Sequence, residues 1–316
     1  MRATRLLFLT PLIAVLGIAG PNTVIAEEAS HTPEVVGSIP SPAFTECISE
    51  DADGTIYVSG MLDSIVWKIS PDGAVERFAH VERYVAILGV AAVEEGIVIG
   101  AFRRDFRTPS GYDFSNAEPE VALLDKTTGE IIATAPGENG QLFNGMTADE
   151  RGNALVVDSL SASVWQFDPK EHTLTLWIRD DELASMKPGA RSANGIKVSG
   201  DYVYIANSEK RSIFRVGIDE NGDRQGELTL FAADIPHVDD FAIASDGTIF
   251  LPPTGSTNPG PLYRIPPGEA AVTHAIGPSG ASAIVSHDDQ WVYWPSNNGI
   301  APETSRAQQL LRVPAQ

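Results

Sequence analysis

The chain has 316 residues, of which 43% are hydrophobic, and it carries a formal net charge of −20 with an isoelectric point of about 4.6. This length is enough to bury a sizeable core in one large domain or two small ones. The acidity argues against nucleic acids and anionic membranes as partners, because both require a basic face. We therefore expect a monomer that acts on a small-molecule substrate and attracts cations.

The first 26 residues have the pattern of a secretory signal peptide. Arg2 and Arg5 precede the apolar segment Leu6–Gly20, and small residues follow up to Ala26. An uncleaved membrane anchor is the alternative, but the apolar segment is short for a membrane span. We predict cleavage after residue 26, a periplasmic or secreted protein, no membrane insertion of the mature chain, and one domain over residues 27–316.

A β-rich pattern with Gly-containing turns recurs six times after this segment, roughly every 40 to 55 residues. The copies begin at Glu46, Leu88, Asn144, Asn194, Asp239 and Gly280. In the third copy we expect strands at 145–148, 154–158, 163–168 and 174–178. Repeats of this length with four strands each predict an all-β, six-bladed β-propeller of four-stranded antiparallel blades. The segment "PEVVGSIP", residues 33–40, is expected to close the ring as an N-terminal strand.

The first residue of each copy stands at the start of the innermost strand, which lines the central channel of a propeller. Four of the six are oxygen donors: Glu46, Asn144, Asn194 and Asp239. Turn formation is the alternative for the Asn and Asp residues, but Glu is a poor turn former and two carboxylates repel without a cation. Donors that are all oxygen favour Ca²⁺, with Mg²⁺ or Mn²⁺ as substitutes, over zinc. Four ligands leave positions for water and substrate, as in a catalytic site.

The segments "ANGIKVSGDYVYIAN" and "VDDFAIASDGTIF" resemble the gluconolactonase/regucalcin family. The set of four oxygen donors is similar to the calcium ligands of diisopropylfluorophosphatase and paraoxonases. This resemblance implies a calcium ion held by the four residues and the hydrolysis of a lactone or ester. It also implies two details, namely that Asp240 is a fifth ligand and that Asp239 serves as both ligand and base.

Two histidines fall in loops that share a face with the four donors. His237 is two residues before Asp239, and His80 lies in the corresponding loop of the first copy. A histidine near a metal-bound water can act as a general base, so both are catalytic candidates. The alternative for each is a solvated loop histidine.

The longest loop, residues 102–120, collects basic and aromatic residues in an otherwise acidic chain. We predict that Arg103, Arg104, Arg107 and Tyr112 form a lid that binds a substrate carboxylate or phosphate. A solvated loop is the alternative, and residues 179–192 are the second candidate wall. The single cysteine, Cys47, is expected to point away from the channel because side chains alternate along a strand.

These features predict an exported calcium-dependent lactonase or esterase. The alternatives are a non-hydrolytic propeller enzyme of the strictosidine synthase or cyclase type, and a ligand-binding propeller without catalysis. The sequence has no G-x-S-x-G, P-loop, H-E-x-x-H or C-x-x-C motif. This argues against serine hydrolases of that type, P-loop NTPases, zincins and thioredoxin-like proteins.

Overall fold

The computed structural model describes residues 31–40, 44–61, 63–109, 111–138, 141–187, 190–254, 258–297 and 307–316. The predicted signal peptide, residues 1–26, lies outside the described residues. Across the described ranges, six four-stranded antiparallel sheets and one short hairpin form the fold, with a single 3₁₀ turn at Asp181–Leu183. The prediction of an all-β, six-bladed propeller is confirmed. None of the described residues belongs to a helix of the length and hydrophobicity needed to span a membrane.

The strands are numbered in chain order, and within blades 1 to 5 they run from the channel outward. The first three blades comprise β2 Thr45–Glu50, β3 Ile56–Gly60, β4 Ile65–Ile69, β5 Val75–His80; β6 Ala86–Val93, β7 Gly96–Phe102, β10 Pro119–Leu124, β11 Ile131–Pro136; and β12 Phe143–Ala148, β13 Ala154–Asp158, β14 Ser163–Asp168, β15 Thr173–Arg179. The hairpin in the long loop of blade 2 is formed by β8 Arg107–Thr108 and β9 Gly111–Tyr112.

Blades 4 and 5 comprise β16 Ala193–Ser199, β17 Tyr202–Asn207, β18 Ser212–Ile218, β19 Arg224–Ala232; and β20 Ala242–Ile243, β21 Ile249–Leu251, β22 Gly260–Ile265, β23 Val272–Gly277. Blade 6 comprises β24 Ile284–Val285, β25 Trp291–Pro295, β26 Gln308–Pro314 and, as its outermost strand, β1 Glu34–Ile39.

The ring is closed by strands from both ends of the described chain. Strand β1 pairs antiparallel with β26, and the register runs from Glu34 opposite Arg312 to Ile39 opposite Gln308. The predicted closure by an N-terminal strand is therefore confirmed. Because a strand from one end completes a sheet built from the other end, the hydrogen bonds between β1 and β26 hold the ring closed.

Burial decreases from the channel outward, and the strand sequences follow it. In blade 2 the inner strand β7, GIVIGAF, is buried throughout, whereas the outermost strand β11 is partly exposed. Inner strands are covered on both faces by neighbouring blades, which explains why they are continuously apolar rather than alternating. In blade 3 the observed bounds of β13 and β14 agree with the predicted strands 154–158 and 163–168.

The innermost strands share an irregularity close to the predicted donor positions. In four blades the pairing with the second strand shifts at one point: between Thr45 and Ile48, Ile87 and Gly89, Phe143 and Met146, and Ala193 and Ile196. A β-bulge sets two residues against one on the partner strand and re-aims side chains. The bulges lie at the end of the channel where the innermost strands begin, which we call the upper mouth.

Candidate active site

The four predicted donors lie at the upper mouth, and we call them the upper layer. Three of them interact with one another there. The side-chain nitrogen Nδ2 of Asn194 donates a hydrogen bond to Oδ1 of Asp239 in the next blade. The two strands also meet through the backbone, because Gly195 N donates to Asp239 O over 3.0 Å. Across the channel, the Glu46 carboxylate is close enough to Asp239 for the two charges to interact.

The fourth donor, Asn144, lies beside Asn194. A side chain at Gly145 would overlap the backbone carbonyl oxygen of Asn194, so the two Asn-Gly pairs of blades 3 and 4 are in close contact. Asn144 is buried, with 5% of its surface exposed. The glycine after each Asn therefore has a packing role, which the turn interpretation of the sequence did not consider.

The two carboxylates of the upper layer are held in an environment that penalises their charge. Burial, together with the charge of Asp239, raises the pKa of Glu46 to about 8. Burial also raises the pKa of Asp239, an effect that the positive charges of His237 and Arg191 oppose. Neither carboxylate forms an ion pair with a Lys, Arg or His of the described residues. Arg191 and His237 thus act on these carboxylates through their charges, but no ion pair within the described residues neutralises them.

The polar atoms of the upper layer fit a hard cation. Among the described residues, neither the Glu46 carboxylate nor the Asn144 amide forms a hydrogen bond. Asn194 uses its nitrogen towards Asp239, which leaves its side-chain oxygen available. In the described part of the chain, no three His, Cys, Asp or Glu side chains are grouped to hold a metal. A cation here would depend on two carboxylates, two amide oxygens and water, a donor set that suits calcium.

A second group of polar side chains, the lower layer, lies directly beneath and consists of Cys47, Lys197, Asp240 and Ser282. Lys197 Nζ lies 2.5 Å from Asp240 Oδ2, and both side chains are buried. Ser282 donates its hydroxyl to the same oxygen, while Phe241 N donates to Oδ1 over 2.8 Å. Both oxygens of Asp240 are therefore bonded within the protein. The prediction of Asp240 as a fifth calcium ligand does not fit this arrangement, and we leave it out of the proposal below.

Cys47 also belongs to the lower layer, and the expectation that it points away from the channel is wrong. Its sulfur lies 3.7 Å from the carbonyl oxygen of Val90 and 3.8 Å from that of Met146, on the innermost strands of blades 2 and 3. The bulge at Glu46 and Cys47 breaks the alternation on which the expectation was based. Burial raises the pKa of the thiol, so it remains protonated and unreactive.

Beyond the lower layer, the channel widens into the lower mouth, a pocket of about 730 Å³. Its lining includes Glu50 and His287, and Lys197 reaches it from above. The turns between the first and second strands of the blades form its rim, and His287 lies in one of them. The lower mouth and the upper mouth are thus separated by the Lys197–Asp240 pair.

Of the two candidate bases, His237 is the one that interacts with the upper layer. It is exposed, and its charge lowers the pKa of Asp239. His80 ends β5, the outermost strand of blade 1, and the carboxylate whose charge it stabilises is that of Asp63. No described contact connects His80 with the four donors.

The arginines predicted to bind substrate are neutralised within their own loop. Arg103 and Arg104 form ion pairs with Glu118 over 2.9 and 2.7 Å, and Arg107 pairs with Asp105 over 2.7 Å. The loop is further held by a small aromatic core in which Phe106 is 1% exposed. These ion pairs favour a structural role for the three arginines, so the proposals below do not rely on them.

Tyr112 of this loop instead faces Arg191, which belongs to the second predicted wall, residues 179–192. The Arg191 guanidinium lies 5.6 Å from the centre of the Tyr112 ring. The charge of the same guanidinium opposes the rise in the pKa of Glu46 and of Asp239 that burial causes.

Sequence reasoning missed two functional candidates, Arg191 and Lys197. Lys197 had a recognisable signal, because a lysine inside the innermost strand "NGIKVS" requires a buried partner. Arg191 had none, since its loop contains several charged residues and only the folded chain shows which of them reaches the upper mouth.

Comparison with known proteins supports the fold. No family model matches the sequence, and no curated protein has a similar sequence. Among solved structures, regucalcin from Agrobacterium tumefaciens, a calcium-binding protein, superposes with a TM-score of 0.61 at 15% identity, covering 89% of this chain and 96% of that chain. A gluconolactonase from Xanthomonas campestris gives a TM-score of 0.61 at 12% identity, covering 89% of each chain.

A third solved structure, virginiamycin B lyase from Staphylococcus aureus, gives a TM-score of 0.55 at 9% identity, covering 88% of this chain and 98% of that chain. At these identities the similarity establishes the architecture alone. The resemblance to the gluconolactonase/regucalcin group is therefore confirmed as a shared fold, and the chain is a six-bladed β-propeller.

Proposed function

We propose that the upper mouth binds a calcium ion and hydrolyses a lactone or a related ester. The observation that carries this proposal is the partly buried pair of carboxylates, Glu46 and Asp239, with which no Lys, Arg or His of the described residues forms an ion pair. Two uncompensated carboxylates in one site destabilise a fold, and such sites are retained where a ligand or a reaction requires them. The regucalcin and gluconolactonase that share the fold are consistent with this assignment.

Glu46, Asn144, Asn194 and Asp239 would hold the ion, with Mg²⁺ or Mn²⁺ as possible substitutes. Bound there, calcium would polarise the carbonyl of the substrate and stabilise the negative charge that develops on its oxygen. The amide of Asn194 keeps the Asp239 carboxylate in place through the hydrogen bond to Oδ1.

Proton transfer would use the remaining groups at the upper mouth. Oδ2 of Asp239 is not engaged by Asn194 and would accept the proton of an attacking water. His237, which interacts with Asp239, would receive that proton on its neutral imidazole ring and pass it to solvent. The lower layer would block the passage of water from the lower mouth, because the ion pair of Lys197 and Asp240 occupies the channel.

The test combines two substitutions with a matched control on the same strand. Glu46→Gln and Asp239→Ala should each lower lactone hydrolysis by about a thousandfold, the scale expected when oxyanion stabilisation is lost. Both should also weaken calcium binding in titration calorimetry while the circular dichroism spectrum stays unchanged. Glu50→Gln, at the other end of β2, should keep both properties. Hydrolysis that survives both substitutions, or that survives chelation, would contradict the proposal.

A lyase activity is the second candidate, because virginiamycin B lyase has the same fold. Hydrolysis inserts an oxygen atom from water into the product, whereas elimination does not. Reaction in ¹⁸O-labelled water followed by mass spectrometry therefore distinguishes the two: labelled product supports the hydrolase, and unlabelled product supports the lyase.

We also propose that the protein works in the periplasm or outside the cell, on the basis of the N-terminal segment. Expression of the full chain in a bacterial host should yield a mature N-terminus near Glu27 in the periplasmic or secreted fraction. Full-length protein that stays in the cytoplasm would contradict this part of the proposal.

A further inference from the structure

An open pocket of about 790 Å³ lies beside the upper layer. Its lining residues are Tyr112, Asp113, Phe114, Ser115, Leu160, Ala190 and Arg191. It is formed by loops from three different parts of the chain, so it exists only in the folded propeller. Arg191 stands two residues before β16, the strand that carries Asn194, so the pocket lies at the same end of the channel as the candidate reaction centre.

Arg191 differs from the arginines of the neighbouring long loop, because it forms no ion pair with a carboxylate of the described residues. Among the described residues it forms neither a hydrogen bond nor an ion pair, and its one described contact is with the Tyr112 ring. By contrast, Arg103, Arg104 and Arg107 each pair with a carboxylate of their loop. The Asp113 carboxylate, also in the pocket, is held by its own turn through Ser115 N. Arg191 therefore has a full set of donors available for an anionic ligand.

The opposite wall of the pocket offers flat apolar surface. The rings of Tyr112 and Phe114 are stacked, with centres 6.0 Å apart and planes inclined by 30°. Tyr112 is 36% exposed, an unusual degree for a large aromatic ring in the described structure. Phe106 packs behind both rings and fixes their position. Two stacked rings, of which Tyr112 is exposed and Phe114 is half-buried, are suited to stack against a planar group of a ligand.

We propose that this pocket selects lactones or esters that carry both an aromatic ring and a carboxylate. The ring would stack on Tyr112 and Phe114, and the carboxylate would form a bidentate ion pair with the Arg191 guanidinium. The other end of the substrate would then lie at the upper layer. This inference rests on the proposed function for the reaction, but the pocket's selectivity for binding is independent of it.

Binding is the first measurement, with 3-phenylpropanoate as the probe and the neutral 3-phenylpropanol as its matched analogue. Arg191→Met should weaken binding of the carboxylate at least tenfold and change binding of the alcohol less than twofold. Tyr112→Ala should weaken both, since both carry the ring. Arg191→Lys, which keeps the charge but loses the fork of donors, should restore part of the carboxylate affinity.

Kinetics is the second measurement, with dihydrocoumarin, a carboxylate-bearing dihydrocoumarin and the aliphatic δ-valerolactone. Arg191→Met should raise KM for the carboxylate-bearing lactone about tenfold relative to KM for dihydrocoumarin, because the residue binds the part of the substrate that does not react. The lost charge beside Glu46 and Asp239 should change kcat for all three lactones by the same factor. Tyr112→Ala should raise KM for both aromatic lactones and leave δ-valerolactone unchanged.

Blade 4 offers matched controls away from the pocket. Arg215 lies 4.5 Å from the centre of the Tyr202 ring, and Tyr202 is 38% exposed, so the pair repeats the contact and exposure of Arg191 and Tyr112. Arg215→Met and Tyr202→Ala should leave binding and kinetics unchanged. If they reproduce the effects of the pocket variants, those effects are structural and the inference is wrong.

The outcomes separate this inference from the proposed function. If the wild type hydrolyses no lactone but binds 3-phenylpropanoate through Arg191, the proposed function fails and the pocket stands. If the wild type hydrolyses lactones with no dependence on Arg191 or Tyr112, the function stands and the pocket inference is overturned. Equal loss of the carboxylate and alcohol probes in Arg191→Met would also overturn it, because a charge-specific contact cannot act on a neutral ligand.

Discussion

Both layers of the channel contain carboxylates, but only the lower layer contains a lysine that pairs with one of them. The carboxylates are buried in the lower layer and partly buried in the upper layer, and Asp239 and Asp240 are neighbours in the chain. In the lower layer Asp240 is neutralised by Lys197 and receives further hydrogen bonds from Ser282 and Phe241 N. In the upper layer Glu46 and Asp239 face each other, and no internal cation pairs with them. The charge of Asp240 is therefore neutralised by an ion pair within the protein, whereas Asp239, the residue before it, has no such partner among the described residues.

This difference indicates which layer is structural and which is functional. A buried ion pair with complete hydrogen bonding is self-sufficient and needs no ligand. Buried carboxylates without a counter-ion raise the free energy of the folded state, and a bound cation removes that cost. Substitutions in the lower layer should therefore reduce stability, whereas substitutions in the upper layer should reduce ligand binding.

The largest effect is expected from Lys197→Met, which removes the cation of the lower layer. It would leave Asp240 as an unpaired buried anion, and breaking such a pair costs about 3–5 kcal/mol of unfolding free energy. Urea denaturation monitored by tryptophan fluorescence measures this loss. The double variant Lys197→Met, Asp240→Asn should recover at least half of it, because no charge is then left unpaired.

A small loss of stability in Lys197→Met would contradict this prediction. If Lys197→Met lost less than about 1 kcal/mol, Asp240 would not depend on Lys197. The carboxylate would then be accessible to solvent or to a cation, and the distinction between the two layers would not hold.

The second prediction concerns the upper layer and the removal of metal. Calcium at a hundred times its dissociation constant should stabilise the wild type by about 2.7 kcal/mol, and excess chelator should reverse the change. In Glu46→Gln this stabilisation should largely disappear because one of two anionic ligands is lost. Differential scanning calorimetry with calcium and with chelator measures both. Glu50→Gln is the control, and an equal loss in that variant would place the cation at the lower mouth instead.

The fold was largely predictable because it repeats. Six copies with the same turn chemistry define the blades, and the bounds of β13 and β14 agree with the sequence-based strands. The closure of blade 6 by β1 was also predictable, because a sixth copy with three strands leaves one position to fill. Because the six copies share one pattern, a strand that is unclear in one copy can be placed by comparison with the others.

The candidate site was predictable only in part. Asn194 and Asp239 occupy equivalent positions in neighbouring blades, and they are in contact as expected. The side-chain direction of Cys47 was predicted wrongly, since a bulge is a matter of strand pairing and has no clear signature in one strand. The partners of Asp240 and of the loop arginines depend on contacts between distant segments, such as Lys197 with Asp240, and composition does not specify them.

A further buried ionisable group, His274, differs from both layers because it stays neutral and needs no opposite charge. His274 on β23 is 3% exposed, and burial, with further contributions from the charges of His31 and Arg264, lowers its pKa. A hydrogen bond between its Nε2 and the carbonyl of Pro314, over 2.7 Å, opposes that shift and is compatible with a neutral ring. Since the folded pKa lies below the unfolded value of about 6.5, the unfolded chain binds the proton more readily.

The stabilising contribution of neutral His274 is therefore fully present above pH 6.5 and is lost as the pH falls towards the lower, folded pKa. The wild type should lose more unfolding free energy between pH 7 and pH 5 than His274→Gln, which keeps a donor for Pro314 but cannot be protonated. This should be the smallest of the three effects, and urea denaturation at several pH values resolves it as a difference between variants. His172→Gln, in an exposed turn, should follow the wild type. If His274→Gln shows the same pH dependence as the wild type, this histidine does not resist protonation in the fold, and only the two layers of the channel remain as contrasting solutions to a buried charge.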